Sequence, residues 1–173
     1  MKDIKEKLID EAKRIEEDSL YSAKGHFEAA NKWRNIHLWL GLPTAVLAAL
    51  SGVSALAQFD FHDILAAFLA ILVTALASVI TFLNPNEKAS SHQDAGNKYN
   101  SLRNKVRIFH EIDCVGKSSV EELTERLKEF AGLRDELNQT SPQIPREAYE
   151  KARKGIEEGE ADYEVNKKNA ARP

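Results

Sequence analysis

The sequence predicts an all-α protein: a two-helix transmembrane hairpin with long amphipathic cytoplasmic helices forming a helical bundle, assembled as a homo-oligomer. Three observations carry this. Residues 38–57 and 64–83 hold no charged side chain. The charged segments on either side repeat their apolar residues by threes and fours, the helical period. Cap signals punctuate those segments, and no alternating strand pattern is present. The 173 residues suffice for one domain built around such a hairpin. A mean hydropathy of −0.43 resembles a soluble chain, but it averages two very different kinds of segment.

The N-terminal segment, 1–36, reads as one cytoplasmic helix. Ile4, Leu8, Ala12, Ile15, Ser19 and Ser22 form one stripe, and Leu20, Ala23, Phe27 and Ala30 form its neighbour. The opposite face is charged with both signs. That pattern asks for a partner helix, as in a coiled coil. No proline intervenes before Pro43, so the helix is expected to run into the first span, with Gly25 a weak interruption.

The hairpin occupies 37–84. Its spans are "LWLGLPTAVLAALSGVSALA" (38–57) and "ILAAFLAILVTALASVITFL" (64–83). About 20 helical residues cover about 30 Å, the hydrocarbon thickness of a bilayer. A soluble core helix of this length would keep a polar face, and a signal peptide would not follow a long charged segment. The link "QFDFHD" (58–63) carries Asp60 and Asp63 and no Lys or Arg. Lys32 and Arg34 precede the first span; Lys88, Lys98, Arg103, Lys105 and Arg107 follow the second. The positive-inside rule puts both termini in the cytoplasm and the loop outside. Trp33 and Trp39 would mark the inner interface, Phe59 and Phe61 the outer one.

Small residues recur along each span. Gly41, Ala45, Ala48, Gly52 and Ala55 share a face of the first; Ala67, Ala70, Thr74, Ala77 and Thr81 share a face of the second. Such faces let backbones approach in lipid, so the hairpin is expected to pair through one face per helix. Ser51, Ser54, Ala66 and Ser78 are left for contacts between protomers. Thr74, Ser78 and Thr81 are the candidate pore lining, against plain packing with hydroxyls bonded to backbone carbonyls. Neither span holds an ionisable side chain, which argues against a charged selectivity ring or a proton relay. Pro43 is expected to kink the first span or to mark its first turn.

The C-terminal region, 85–173, opens within "NPNE" (84–87). Asn84 reads as an N-cap, Pro85 as the first helical residue and Glu87 as the third, a capping box. This is the membrane-to-cytoplasm joint. The helix it opens has the stripe Ala95, Tyr99, Leu102, Val106 and Phe109, and its basic residues are expected to meet anionic lipid headgroups. Ser119 with Glu122 is a second capping box, before Val120, Leu123, Leu127, Phe130 and Leu137. "SPQIP" (141–145) interrupts, a last helix spans about 146–158, and a mobile tail is expected beyond it.

Chemistry is sparse. No phosphate-binding glycine loop, GxSxG or HExxH occurs. His92, Asp94, His110 and Cys114 are the best metal candidates, but one continuous helix would keep them apart, so no metal, cofactor or catalytic residue is expected. The net charge of −3 argues against direct nucleic-acid binding. The single cysteine fits a reducing compartment.

Three stretches resemble the SLATT family, two-transmembrane effector domains of bacterial conflict systems. They are "YSAKGHFEAANKWRNIHLWLGLP", "FLNPNEKASSHQDAGNKYNSLRNKVRIF" and "SPQIPREAYEKARKGIEEGEADYEV". The resemblance implies a bacterial inner-membrane effector that oligomerises and forms or gates a pore, causing growth arrest or cell death on infection. It implies partners such as a nucleotide-second-messenger synthetase, a nucleotide sensor or a reverse transcriptase system. It brings no catalytic residues, and no separate sensor domain is expected within the chain. The alternative is a membrane-anchored adaptor that recruits a cytoplasmic enzyme. A third reading, an enzyme, would need His92, His110 and Cys114 to act together.

Overall fold

The computed structural model describes residues 2–164. Five α-helices and one π-helical turn follow one another among them: α1 (Lys2–Leu56), α2 (His62–Leu83), α3 (Pro85–Ile108), the π turn (Phe109–Asp113), α4 (Val120–Thr140) and α5 (Arg146–Glu157). No strand occurs among the described residues. The expected mobile end of the tail falls on 165–173, outside them. The chain divides into two compact units. One joins the residues up to Ala30 with those from Ser91 onward; the other is Asn31–Ser90.

α1 continues through Pro43 without a break. Proline removes the N–H that would bond the carbonyl of Trp39, and membrane helices tolerate that loss. In the Asn31–Ser90 unit, α1 turns back into α2 through a short link closed by Ala57 N–H on Ser54 O (3.2 Å) and His62 N–H on Phe59 O (3.2 Å). Phe61 ends the link at φ 67°, a left-handed conformation that is strained for a bulky side chain. No residue of α2 is buried. Leu42, Val46, Val53, Ile64, Phe68, Ile71 and Phe82 are all more than half exposed. A water-soluble fold would hide such a surface; in lipid it is the expected exterior.

The other unit has a conventional core. Leu8, Ala12 and Ile15 of α1 meet Leu102 and Val106 of α3, Phe109 of the π turn, and Leu123, Leu127 and Phe130 of α4. Phe109 and Phe130 pack edge to face with centroids 5.5 Å apart. The α3 stripe predicted from periodicity is buried at all five positions. Ile4, expected to open the α1 stripe, is 46% exposed instead. The packing partners end one residue further along, where Lys5 Nζ bonds the carbonyls of Cys114 and Gly116. The Ser119–Glu122 capping box forms, with each side chain accepting the other's backbone N–H at 3.2 Å.

Two glycines let elements approach closely. A Cβ on Gly96 would lie 2.6 Å from Phe27, and one on Gly25 would lie 3.0 Å from Ile144 in the "SPQIP" break. Gly25 is thus a packing site within an unbroken helix. α5 rests on the same part of α1 through buried Ala148 and Ala152, with Lys151 Nζ at 2.7 Å from the Glu28 carboxylate.

Candidate functional site

The small-residue faces do not hold the hairpin together. The seam runs through Leu40, Thr44, Leu47, Ser51 and Ser54 on α1, and Ala66, Leu69, Val73, Leu76 and Ile80 on α2, all at least partly buried. The Ser51 hydroxyl donates across it to the carbonyl of Ala66 at 3.0 Å. So Ser51, Ser54 and Ala66, expected to face other protomers, lie inside, and the expected pairing faces lie outside. Ala45, Ala48 and Gly52 are exposed, and so are Ala67, Ala70, Thr74, Ala77, Ser78 and Thr81. A Cβ placed on Gly41 or Gly52 would meet nothing within 4 Å. The seam is mixed: Thr44, Ser51, Ser54 and Ala66 lie in it beside Leu40, Leu47, Leu69, Val73, Leu76 and Ile80.

Helix geometry then gives the hairpin two unlike sides. At about 100° per residue, each small set lies roughly a quarter-turn from its seam, in the same rotational sense. The two helices run in opposite directions, so equal rotations carry both small sets to one side of the hairpin. Trp39, Leu42, Val46, Leu50 and Val53 of α1, with Ile64, Phe68, Ile71, Val79 and Phe82 of α2, take the other side.

The hydroxyls on the small side bond within their own helix. Thr74 donates to Ala70 O (2.8 Å), Ser78 to Thr74 O (2.8 Å) and Thr81 to Ala77 O (2.9 Å).

The joint at Asn84 differs from the expected capping box. Asn84 sits at φ 43° and its N–H bonds Ile80 O, which makes it the left-handed cap that ends α2. Asparagine tolerates that conformation better than most residues. Its carbonyl still accepts the N–H of Lys88 as α3 begins. The Asn84 side-chain amide donates to the Glu87 carboxylate rather than accepting a backbone N–H. Pro85 is buried, and Lys88 Nζ lies 4.4 Å from the centre of the Trp33 ring, a cation–π contact.

The basic residues of α3 are not one free strip. Lys98 pairs with Asp94 at 2.7 Å. The guanidinium groups of Arg103 and Arg107 lie 5.4 and 5.0 Å from the Tyr163 ring, and Arg103 is 13% exposed beside Glu16. Planar guanidinium stacks on an aromatic face readily, which turns these two inward. Lys105 is exposed with no ion-pair partner among the described residues.

The histidines have internal partners too. His92 and His26 share a buried Nδ1–Nδ1 hydrogen bond of 2.9 Å, with Tyr99 stacked on His26. The Tyr99 hydroxyl donates to Asn138 at 2.7 Å. His110 Nε2 lies 2.6 Å from a Glu16 oxygen. Cys114 is buried, and burial pushes its thiol up, with Asp113 adding to the effect. Of the three residues an enzyme would need, His92 is engaged by His26 and His110 by Glu16, while Cys114 is buried. No group of three or more ligand side chains suited to a metal ion occurs among the described residues.

Sequence reasoning missed the His26–His92 pair, although the signal was there. His26 continues the Ala23–Ala30 stripe and His92 lies one step before Ala95. Burial lowers His26 to about 4, with His92 contributing, and burial lowers His92 also. An unfolded chain would bind protons at these histidines near pH 6.5, before the folded chain does. Their contribution to stability is therefore complete above about pH 6.5 and lost as pH falls toward 4. The thermal midpoint of the detergent-solubilised protein should drop across that window. Replacing both histidines by glutamine should flatten the drop; an unchanged slope would assign it to other groups.

A hairpin of two apolar helices, each long enough to cross a bilayer, joined to a helical bundle, defines a two-transmembrane membrane protein. The chain belongs to the SMODS and SLOG-associating 2TM effector domain family 4, whose match covers residues 8–167. It is accordingly a membrane effector domain of the conflict-system type. No curated protein and no solved structure matches the chain.

Proposed function

We propose that copies of this chain associate in the bacterial inner membrane through the small-residue side of the hairpin and form or gate a pore, stopping growth or killing the cell when triggered. Both termini lie in the cytoplasm, next to a partner that supplies the signal. The observation that carries this reading is the two-sided hairpin. Association in lipid depends on close backbone approach rather than on hydrophobicity. The seam uses Thr44, Ser51, Ser54 and Ala66 for its own packing, and a second set of small residues (Ala45, Ala48, Gly52, Ala67, Ala70 and Ala77) is gathered on one exposed side. The acidic outer loop and the basic flanks support the orientation.

The test is induction in a bacterial host carrying a potential-sensitive dye, followed by reconstitution in dye-loaded vesicles with the activating partner. Depolarisation and dye release are the expected results. An intact, triggered oligomer in a tight membrane would end the pore reading. A soluble enzyme co-purifying in fixed ratio from polarised cells would favour the adaptor.

A further inference from the structure

The C-terminal end of α3 departs from regular helix. π turns are rare and are frequently found at functional sites. This one, Phe109–Asp113, keeps Phe109, His110 and the following Cys114 buried. Ile108, Ile112 and Val115 meanwhile project from the surface, at 47%, 63% and 76% exposure. Lys105 and Lys117 flank this knob, exposed and without ion-pair partners among the described residues.

A groove of opposite character adjoins it. Arg126 of α4 reaches Asp113 at 2.7 Å, so the start of α4 lies against the π turn. A groove of about 540 Å³ opens there, lined by Ser118, Glu121, Glu122, Leu123, Glu125 and Arg126. Its lining is mostly apolar and its rim acidic, and Glu121 is exposed with no ion-pair partner among the described residues. An apolar knob flanked by Lys105 and Lys117, unpaired among the described residues, with Glu111 held by Arg107, thus sits next to a groove lined by Glu121, Glu122 and Glu125, whose cation, Arg126, is engaged by Asp113. Side by side on one chain, the two cannot dock into each other. Two copies related by a two-fold axis satisfy both pairs at once, the self-complementary arrangement of isologous dimers.

We propose that a second copy of this chain docks here, the Ile108–Ile112–Val115 knob of each copy seated in the Glu121-rimmed groove of the other. A contact formed by this knob and groove alone need not reach the roughly 1,200 Å² of a free-standing interface. Tethering in one membrane raises the effective concentration and offsets any shortfall. The inference rests on the homo-oligomer reading above and adds a second contact surface to it.

The experiment uses full-length protein in native membranes, on a Cys114→Ser background. One tagged copy carries Val115→Cys, a differently tagged copy carries Glu121→Cys, and a third pair carries Gly52→Cys on the hairpin. Mild oxidation should yield the mixed Val115–Glu121 disulfide. Ile112→Asp on the first copy should cut its yield at least about fivefold. Lys117→Glu should also lower it, and Glu121→Lys placed beside a groove cysteine at Glu125 should restore it in the charge-swapped pair. If Gly52→Cys copies cross-link and the knob and groove do not, the hairpin association stands and this docking is wrong. If neither links, both readings fall. A Val115→Cys copy that links to a different polypeptide also overturns the proposal.

Discussion

Gly52→Leu should leave the hairpin folded and abolish its association. The substitution meets no obstacle within the chain, because a Cβ at this position has open space around it. The seam at Ser51 and Ser54 keeps its contacts, since those side chains point about a quarter-turn and nearly half a turn away. A leucine there would hold the backbone of a neighbouring copy off by its own width, and the dispersion contacts that drive pairing in lipid fall steeply with distance. A loss of about 1.4 kcal/mol already means a tenfold weaker association. The detergent-extracted particle should shrink toward monomer mass, and triggered dye release should fall at least about tenfold. Val53→Leu, on the bulky side, should change neither. Full leakage from the Gly52→Leu protein would show that the small side is not the contact.

Phe109→Ala should cost about 3–5 kcal/mol, the range for deleting a buried aromatic side chain. Phe109 is fully buried, packs on Phe130 and has the Arg126 guanidinium 5.5 Å from its ring centre. It also anchors the π turn, since the Cys114 N–H bonds its carbonyl at 2.9 Å. Against a typical total of about 5–15 kcal/mol, the loss should leave the bundle near unfolding at body temperature. Thermal melts followed by circular dichroism measure it. Phe109→Leu should recover more than half of the loss; equal damage from both would implicate the ring contacts specifically, and no damage from either would contradict the core described above.

Periodicity made much of this fold legible. Ala95, Tyr99, Leu102, Val106 and Phe109 step by fours and threes, and all five are buried. Ser119 and Glu122 form the cap their spacing announces, because a cap depends on four neighbouring residues and little else. A helical wheel shows which residues share a face. It does not show which face meets which, and that is where Gly41 to Gly52 and Ala67 to Thr81 went astray. Their chemistry favours contact, but the seam runs one residue earlier on each helix, through large Leu47, Leu69 and Val73 and small Ser51, Ser54 and Ala66 alike. Asn84 shows a local version of the same limit. Its sequence context fits an N-cap, yet α2 arrives first and takes the backbone N–H for its own last turn. The His26–His92 bond joins residues 66 positions apart. It depends on how two long helices align, which neither local sequence records.

The hydroxyls of Thr74, Ser78 and Thr81 carry one more implication. Each has its hydrogen engaged by a carbonyl one turn back, so what remains available on each oxygen is lone-pair density. A wet lumen walled by this side would present acceptors with no matching donors and no fixed positive charge. Dehydrating ions find compensation there only if they are positive, as at carbonyl-lined filters. The proposed pore would thus pass sodium and potassium in preference to chloride, and a reversal potential measured across a salt gradient would carry the sign of a cation conductance.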